Sequence, residues 1–267
     1  MSEMQQAPAP RGKKVRPPPR AAIVRAVERV TPEVMRITFG GPELATFQPP
    51  RPGAHIKLLF APPGQTWPTG DPVKDAVRPP SRTYTPRRFN AEKAEIEVEF
   101  VLHGAGLASS WAEGARVGDR MLIGGPGGGY EPPEGIENLV IIADDSALPA
   151  AGMILEALPR GCASRVLCEV ANPGEARPLS PSVASQPVWI YRTPVNAPPG
   201  VLLEAAVAAL APQPPNTWFW VACEAASMRR IRETLVSQLG FERSRIHTRG
   251  YWKAGDTNYP DHDYGAD

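Results

Sequence analysis

Two rhythms divide the chain. From residue 21 to about residue 129 apolar and polar positions alternate. Val34-Met-Arg-Ile-Thr-Phe39 does so, and Glu95-Ile-Glu-Val-Glu-Phe-Val-Leu102 does so more cleanly, with Ile96, Val98, Phe100 and Leu102 facing one way. Period-two patterning marks strands with one buried face. Pro49-Pro50, Pro62-Pro63 and Pro79-Pro80 punctuate these strands, and residues 61–80 read as a surface excursion between two of them. Several short, punctuated strands predict a small antiparallel barrel.

After Asn138 the pattern changes. Leu139-Val-Ile-Ile-Ala143 is a continuous apolar run, followed by helical spacing at Leu148, Ala151, Leu155 and Leu158. Residues 165–171, 188–191 and 217–222 read as further buried strands. Residues 201–210, and then Met228, Ile231, Leu235 and Leu239, keep helical spacing. Strands alternating with helices predict a parallel sheet covered on both faces. The change of architecture falls near residues 130–137.

A chain of 267 residues has room for two such domains. Lys+Arg 29 against Asp+Glu 28 leaves a formal charge of +1, which gives no electrostatic reason to expect nucleic acid or a membrane surface as partner. Cys162, Cys168 and Cys223 form no CxxC pair, so neither an iron–sulfur cluster nor a disulfide framework is expected. No apolar stretch is long enough to span a bilayer, and the first residues lack a signal-peptide core. The expectation is a soluble cytoplasmic protein.

Five segments carry candidate chemistry. Ser81-Arg-Thr-Tyr-Thr-Pro86 stands just before the cleanest alternating strand. Alternate side chains of a strand share a face, so Arg82 and Tyr84 point the same way. A planar guanidinium suits a phosphate, a flat aromatic covers a ring, and a small hydroxyl such as Thr85 reaches a ring nitrogen. A flavin dinucleotide asks for this set, although an edge strand solvating a barrel also accounts for Arg82 and Tyr84. His103-Gly-Ala-Gly-Leu-Ala-Ser-Ser-Trp111 closes a strand and opens a helix. Gly104 and Gly106 permit close backbone approach to an anion, and Ala108, Ser109 and Ser110 occupy a helix start whose free N–H groups attract phosphate. The glycine run from Gly124 to Gly129 suits either a flavin edge or a plain turn. Asp144-Asp-Ser-Ala-Leu-Pro149 lies past the carboxyl end of a strand, where open α/β sheets bind ligands. Capping explains Asp145 and Ser146 equally well. Cys223-Glu-Ala-Ala-Ser-Met228 also follows a buried strand, where a structural cysteine is the plain alternative.

These strings, with Gly53-Ala-His-Ile-Lys-Leu-Leu-Phe60, Phe100-Val-Leu-His-Gly104, Ala222-Cys-Glu-Ala225 and Gly250-Tyr-Trp-Lys253, resemble the siderophore-interacting protein family of the ferredoxin-reductase-like superfamily, over residues 20 to 255. The resemblance implies a β + α/β fold, in which an N-terminal antiparallel six-stranded FAD-binding barrel (20–135) precedes a parallel-sheet α/β NAD(P)H-binding domain (136–255). A disordered, basic, Pro-rich tail (1–19) and a C-terminal tail (256–267) flank them. The implied activity is ferric-siderophore reduction by a monomer. Hydride passes from NAD(P)H to FAD, and single electrons pass on to Fe(III) to release Fe(II).

The resemblance also assigns residues. FAD contacts are expected from Arg82, Thr83, Tyr84, Thr85, His103, Gly104, Gly106, Ala108 and Ser109, with Leu107 standing where the family usually has Pro. NAD(P)H contacts are expected from Asp144, Asp145, Ser146, Ala147, Arg177, Cys223 and Glu224. Glu175 would favour a free 2′-hydroxyl, whereas Arg177 or Arg192 would welcome a 2′-phosphate. The resemblance tips this conflict toward NADPH over NADH. Lys57, Arg249 and Lys253, with Trp252 to stack, are the expected contacts for an anionic ferric siderophore. No acid–base side chain and no fixed metal site are expected. The rivals are a flavin-dependent reductase of quinones or proteins, and a siderophore-binding protein without enzymatic activity.

Overall fold

The computed structural model describes residues 17–61, 79–104, 106–180 and 187–259. Most of the basic tail, most of the 61–80 excursion and residues 260–267 of the C-terminal tail lie outside the described residues.

The first half is antiparallel. Its strands are β1 (Arg20–Thr31), β2 (Val34–Gly40), β3 (Ala54–Leu59), β4 (Ser81–Tyr84), β5 (Arg88–Asn90), β6 (Glu95–Val101) and β7 (Arg120–Gly128), with helix α1 (Leu107–Gly114) between β6 and β7. They form one sheet in the order β4-β3-β7-β1-β2-β6-β5. Seven segments stand where six strands were expected, and the two edges explain why. β4 and β5 are consecutive in the chain, parted only by Thr85, Pro86 and Arg87. One extended run therefore leaves β3 at one edge and joins β6 at the other, closing six strands into a barrel. Pro86 brings no N–H to the ladder at the crossing, and the Arg87 amide resumes it by donating to the Glu97 carbonyl at 2.8 Å.

Inward positions of this alternation form the barrel core: Ile37, Phe39, Ile56, Leu58, Ile96, Val98, Phe100 and Ile123 have no exposed surface. Helix α1 plugs one end. Its Trp111 ring lies 6.0 Å from Phe39, 5.7 Å from Phe60 and 5.9 Å from Phe100.

The second half is a five-stranded parallel sheet, β8 (Asn138–Asp144), β9 (Ala163–Val170), β10 (Val188–Tyr191), β11 (Trp218–Glu224) and β12 (Ile246–Trp252), in the order β10-β9-β8-β11-β12. Helix α2 (Leu148–Ala157) covers one face, packing on Ile141, Val166 and Trp220. Helices α3 (Val201–Ala208) and α4 (Ala225–Glu233) cover the other, packing on Val140, Ile142, Phe219 and Val221. The chain moves outward from β8 to β10 and then restarts at β11 on the opposite side of β8. The crevice for a ligand belongs at that reversal, beyond the carboxyl ends of β8 and β11. The edge strand β12 adds a fifth member that the apolar pattern does not reveal, because Thr248 and Arg249 are polar and buried.

Charged groups join the two halves. Glu99 of β6 accepts from Arg36 at 2.8 Å and from Arg177 at 3.0 Å. The Glu175 carboxylate receives the Thr31 hydroxyl, and the Glu33 amide at 3.0 Å. Arg87 donates to the Glu156 carboxylate at 2.8 Å and to the Leu179 carbonyl at 2.7 Å. Arg177 and Glu175 are thus consumed at the junction. Residues 171–177 turn toward β1 and β6, which brings both side chains against the barrel.

Candidate functional site

The mouth of the barrel gathers the first group of expected residues. In β3–β4 pairing, Tyr84 stands opposite Ile56 and Arg82 opposite Leu58, while Thr83 stands opposite Lys57. Arg82 and Tyr84 therefore share a face, and Thr83 and Lys57 share the other. The Lys57 ammonium donates to the Thr83 hydroxyl at 2.5 Å. Tyr84 lies 4.4 Å from Phe100, ring centre to ring centre, and burial pushes its phenol well above the usual range. Arg82 is half-buried, and its guanidinium meets a single partner among the described residues, the Ser81 carbonyl at 2.9 Å.

The loop before α1 lies open. His103 and Gly104 are exposed, and a side chain at Gly104, where φ is +69°, would meet nothing within 4 Å. Helix α1 starts at Gly106 with no side-chain cap, leaving its first amides in need of an acceptor. Ala108 is buried, and the Ser109 hydroxyl accepts from the His103 amide at 3.1 Å, which folds the loop against the helix start. A half-buried guanidinium, uncapped amides and the open backbone at Gly104 suit a dinucleotide phosphate. These residues fit FAD.

The glycine run has a different use. A Cβ at Gly128 would approach the His55 ring at 2.9 Å, and one at Gly125 would approach the His55 carbonyl at 3.2 Å. These glycines let β7 lie close against β3. His55 in turn meets the buried Arg249 of β12, Nδ1 to Nη2, at 3.0 Å. Arg249 also lies over the Tyr251 ring at 5.9 Å. Burial pushes the Tyr251 phenol up to about 12, while Arg249 and a hydrogen bond with the Thr85 hydroxyl pull it back. Pairing between β11 and β12 skips a residue here, from Cys223–Gly250 to Glu224–Trp252, and this bulge frees Tyr251 to face Thr85.

At the carboxyl ends of the parallel strands the side chains are chiefly acidic. Asp144 accepts from the Ser146 amide (3.0 Å) and hydroxyl (2.6 Å), the Glu224 amide (2.9 Å) and the Trp252 indole (2.8 Å). Burial pushes its carboxyl up against the pull of these donors. Glu224 caps α4 through the Ser227 amide and also accepts from the Ala254 amide. Glu169 accepts from the amides of Gly200 and Leu203 at the start of α3. Asp145 pairs with Arg192 at 2.9 Å.

The remaining expected residues divide. Ser146 and Ala147 form the turn into α2, with Ala147 buried. Cys223 has no exposed surface and packs among Val221, Met228 and Ile231, and burial raises its thiol far above the ordinary range. Trp252 is half-buried with its indole N–H committed to Asp144, and Lys253 stands exposed just beyond it. His55, Glu169 and Tyr251 were not singled out from the sequence. An acid inside the apolar run Val166-Leu-Cys-Glu-Val170 was the available signal for Glu169.

Comparison with known proteins supplies a family. A model described as the siderophore-interacting FAD-binding domain matches residues 23–130, and one described as siderophore-interacting protein matches residues 136–255. A siderophore utilization protein from T. fusca superposes with a TM-score of 0.80 at 31% identity, covering 93% of this chain and 98% of its own. Ferric vibriobactin reductase ViuB of Vibrio cholerae is 30% identical over 243 residues, 85% of this chain and 86% of its own. An NADPH-dependent ferric-chelate reductase of Escherichia coli is 34% identical over 153 residues, 53% of this chain and 58% of its own.

Proposed function

This chain belongs to the siderophore-interacting protein family, and from that premise we propose that it is an oxidoreductase passing electrons from NAD(P)H through FAD to a ferric siderophore. The observations that carry the reading are the half-buried Arg82 guanidinium of β4 and the open, uncapped start of α1. Bound FAD supplies the conversion between a two-electron donor and a one-electron acceptor such as iron.

The chain's own residues hold and orient. Arg82 and the α1 amides would take the flavin's phosphates, with Tyr84 on the same face as Arg82. The Tyr251 phenol keeps its proton at neutral pH. It can therefore donate to the Thr85 oxygen and leave the Thr85 proton available to a ring nitrogen. Exposed Lys253, with Lys57 on the outer face of β3, provides positive charge for an anionic, oxygen-rich chelate. The name of the E. coli relative supports NADPH as electron donor.

The test is steady-state oxidation of NAD(P)H by the flavin-loaded protein, with and without a ferric siderophore, while a ferrous chelator traps the product. The expected result is oxidation that depends on the ferric chelate and matches Fe(II) appearance. Turnover with quinones but none with ferric chelates would overturn the substrate. Protein that binds no flavin would overturn the enzyme.

A further inference from the structure

We propose that Arg192 receives a phosphate of the nicotinamide coenzyme, and that Asp145 holds this guanidinium as an internal stand-in until the coenzyme displaces it. The inference rests on the coenzyme reading above and adds the residue that recognises it.

Arg192 follows β10, and its amide continues the sheet by donating to the Val170 carbonyl at 3.1 Å. It therefore lies at the carboxyl ends of the strands, where a dinucleotide belongs. Its guanidinium bridges Asp145 at 2.9 Å and Glu169 at 3.5 Å. The other candidate, Arg177, is 8% exposed and tied to Glu99 of the barrel. Arg192 keeps 19% of its side chain in solvent and Asp145 keeps 12%, so both can be reached.

The acids around Arg192 differ in what they would lose. Asp144, Glu169 and Glu224 each accept backbone amides that remain when Arg192 moves. Asp145 has no such support. Among the described residues its hydrogen-bond donor is Arg192, and Asp144 beside it repels its charge. A phosphate offers Arg192 the same planar, two-point contact as a carboxylate, with more charge. Entry of a phosphate among these carboxylates is unfavourable unless Arg192 turns to it. Asp145 is thus the competitor whose removal strengthens binding.

Two phosphates could be the ligand: the diphosphate bridge of either coenzyme, or the 2′-phosphate of NADPH. Direct binding to the flavin-loaded protein separates them, with NADH, NADPH, ADP and 2′,5′-ADP as probes. In Arg192→Gln we expect affinity for the recognised ligands to fall 10- to 100-fold, and in Asp145→Asn to rise severalfold. Losses shared by NADH and ADP identify the diphosphate; losses confined to NADPH and 2′,5′-ADP identify the 2′-phosphate. Equal binding by wild type and Arg192→Gln overturns the inference, as does a loss of affinity in Asp145→Asn. Wild-type protein that binds neither coenzyme overturns the coenzyme reading itself, and the inference falls with it. If Arg192→Gln does not fold, Arg192→Lys and Asp145→Asn decide on the same criteria.

Discussion

The indole N–H of Trp252 reaches the Asp144 carboxylate at 2.8 Å, tying the end of β12 to the end of β8 across the intervening β11. Asp144 also holds the β11 end through the Glu224 amide, so one buried side chain gathers three strands at the crevice. In Asp144→Asn the amide keeps one acceptor oxygen but turns an NH2 toward a site lined by donors, where only the Ser146 hydroxyl can reverse to accept. The expected cost is about 2–4 kcal/mol, a Tm loss of several degrees in thermal unfolding. Trp252→Phe removes one bond and should cost about 1 kcal/mol. Unchanged melting in both variants would remove Asp144 from its role in fixing β12.

Arg82 separates binding from folding. Its guanidinium supports little of the fold, since its one described partner is the neighbouring Ser81 carbonyl. Arg82→Ala should melt within about 1 °C of wild type, as substitutions away from structural contacts cost little. Its affinity for FAD should drop roughly 10- to 100-fold, the loss of one charge-assisted contact to phosphate. Fluorescence titration of the apoprotein with FAD measures this, and full retention of affinity would take Arg82 out of the site.

Glu99 makes the junction acid-sensitive. Burial would push its carboxyl up, but the Arg177 and Arg36 guanidinia outweigh burial and hold it below the usual range. A depressed carboxylate contributes stability at pH above its unfolded value, near 4.3, and loses it as pH falls through the folded value. The two halves should therefore loosen below about pH 4. Glu99→Gln should bring a similar loss at neutral pH, on the order of 3–5 kcal/mol, by leaving the buried Arg177 guanidinium without its carboxylate partner, while Arg36 keeps Glu28 and Glu97. Limited proteolysis between Gly128 and Asn138 should then accelerate, and resistance equal to wild type would argue against the pair as a clamp.

Much of the architecture was legible because it rests on local pattern. Alternation in Glu95–Val101 and the apolar run of β8 each follow from one buried face or two. Strand β12 was not legible, since its buried polar residues are satisfied by groups distant in sequence, Arg249 by His55 among them. The same limit governs the site. Arg82 and the Gly104 loop could be read from short strings whose neighbours are local. The fate of Arg177 depends on Glu99 and that of Arg192 on Asp145, partners 78 and 47 residues away. A sequence shows that a cation is present but not which anion holds it.

Asp145 predicts an opposite pH response. Burial first, then the like charge of Asp144, push its carboxyl from 3.8 to about 7, while Arg192 and Arg177 pull it down; Cys168 faces the same cluster with its thiol held neutral by burial. A raised carboxyl contributes stability that is full below its unfolded value and is lost as pH rises through the folded one. Ionising Asp145 therefore costs the fold at most about 4 kcal/mol above pH 7. Asparagine at this position does not titrate. The Tm of Asp145→Asn should exceed that of wild type by several degrees at pH 8, and the two should converge toward pH 5. Protonation also releases Arg192 from its competitor, so coenzyme affinity in wild type should strengthen as pH falls through 7 and stay flat in the variant. Parallel pH profiles for the two proteins would show that the Asp145 charge controls neither property.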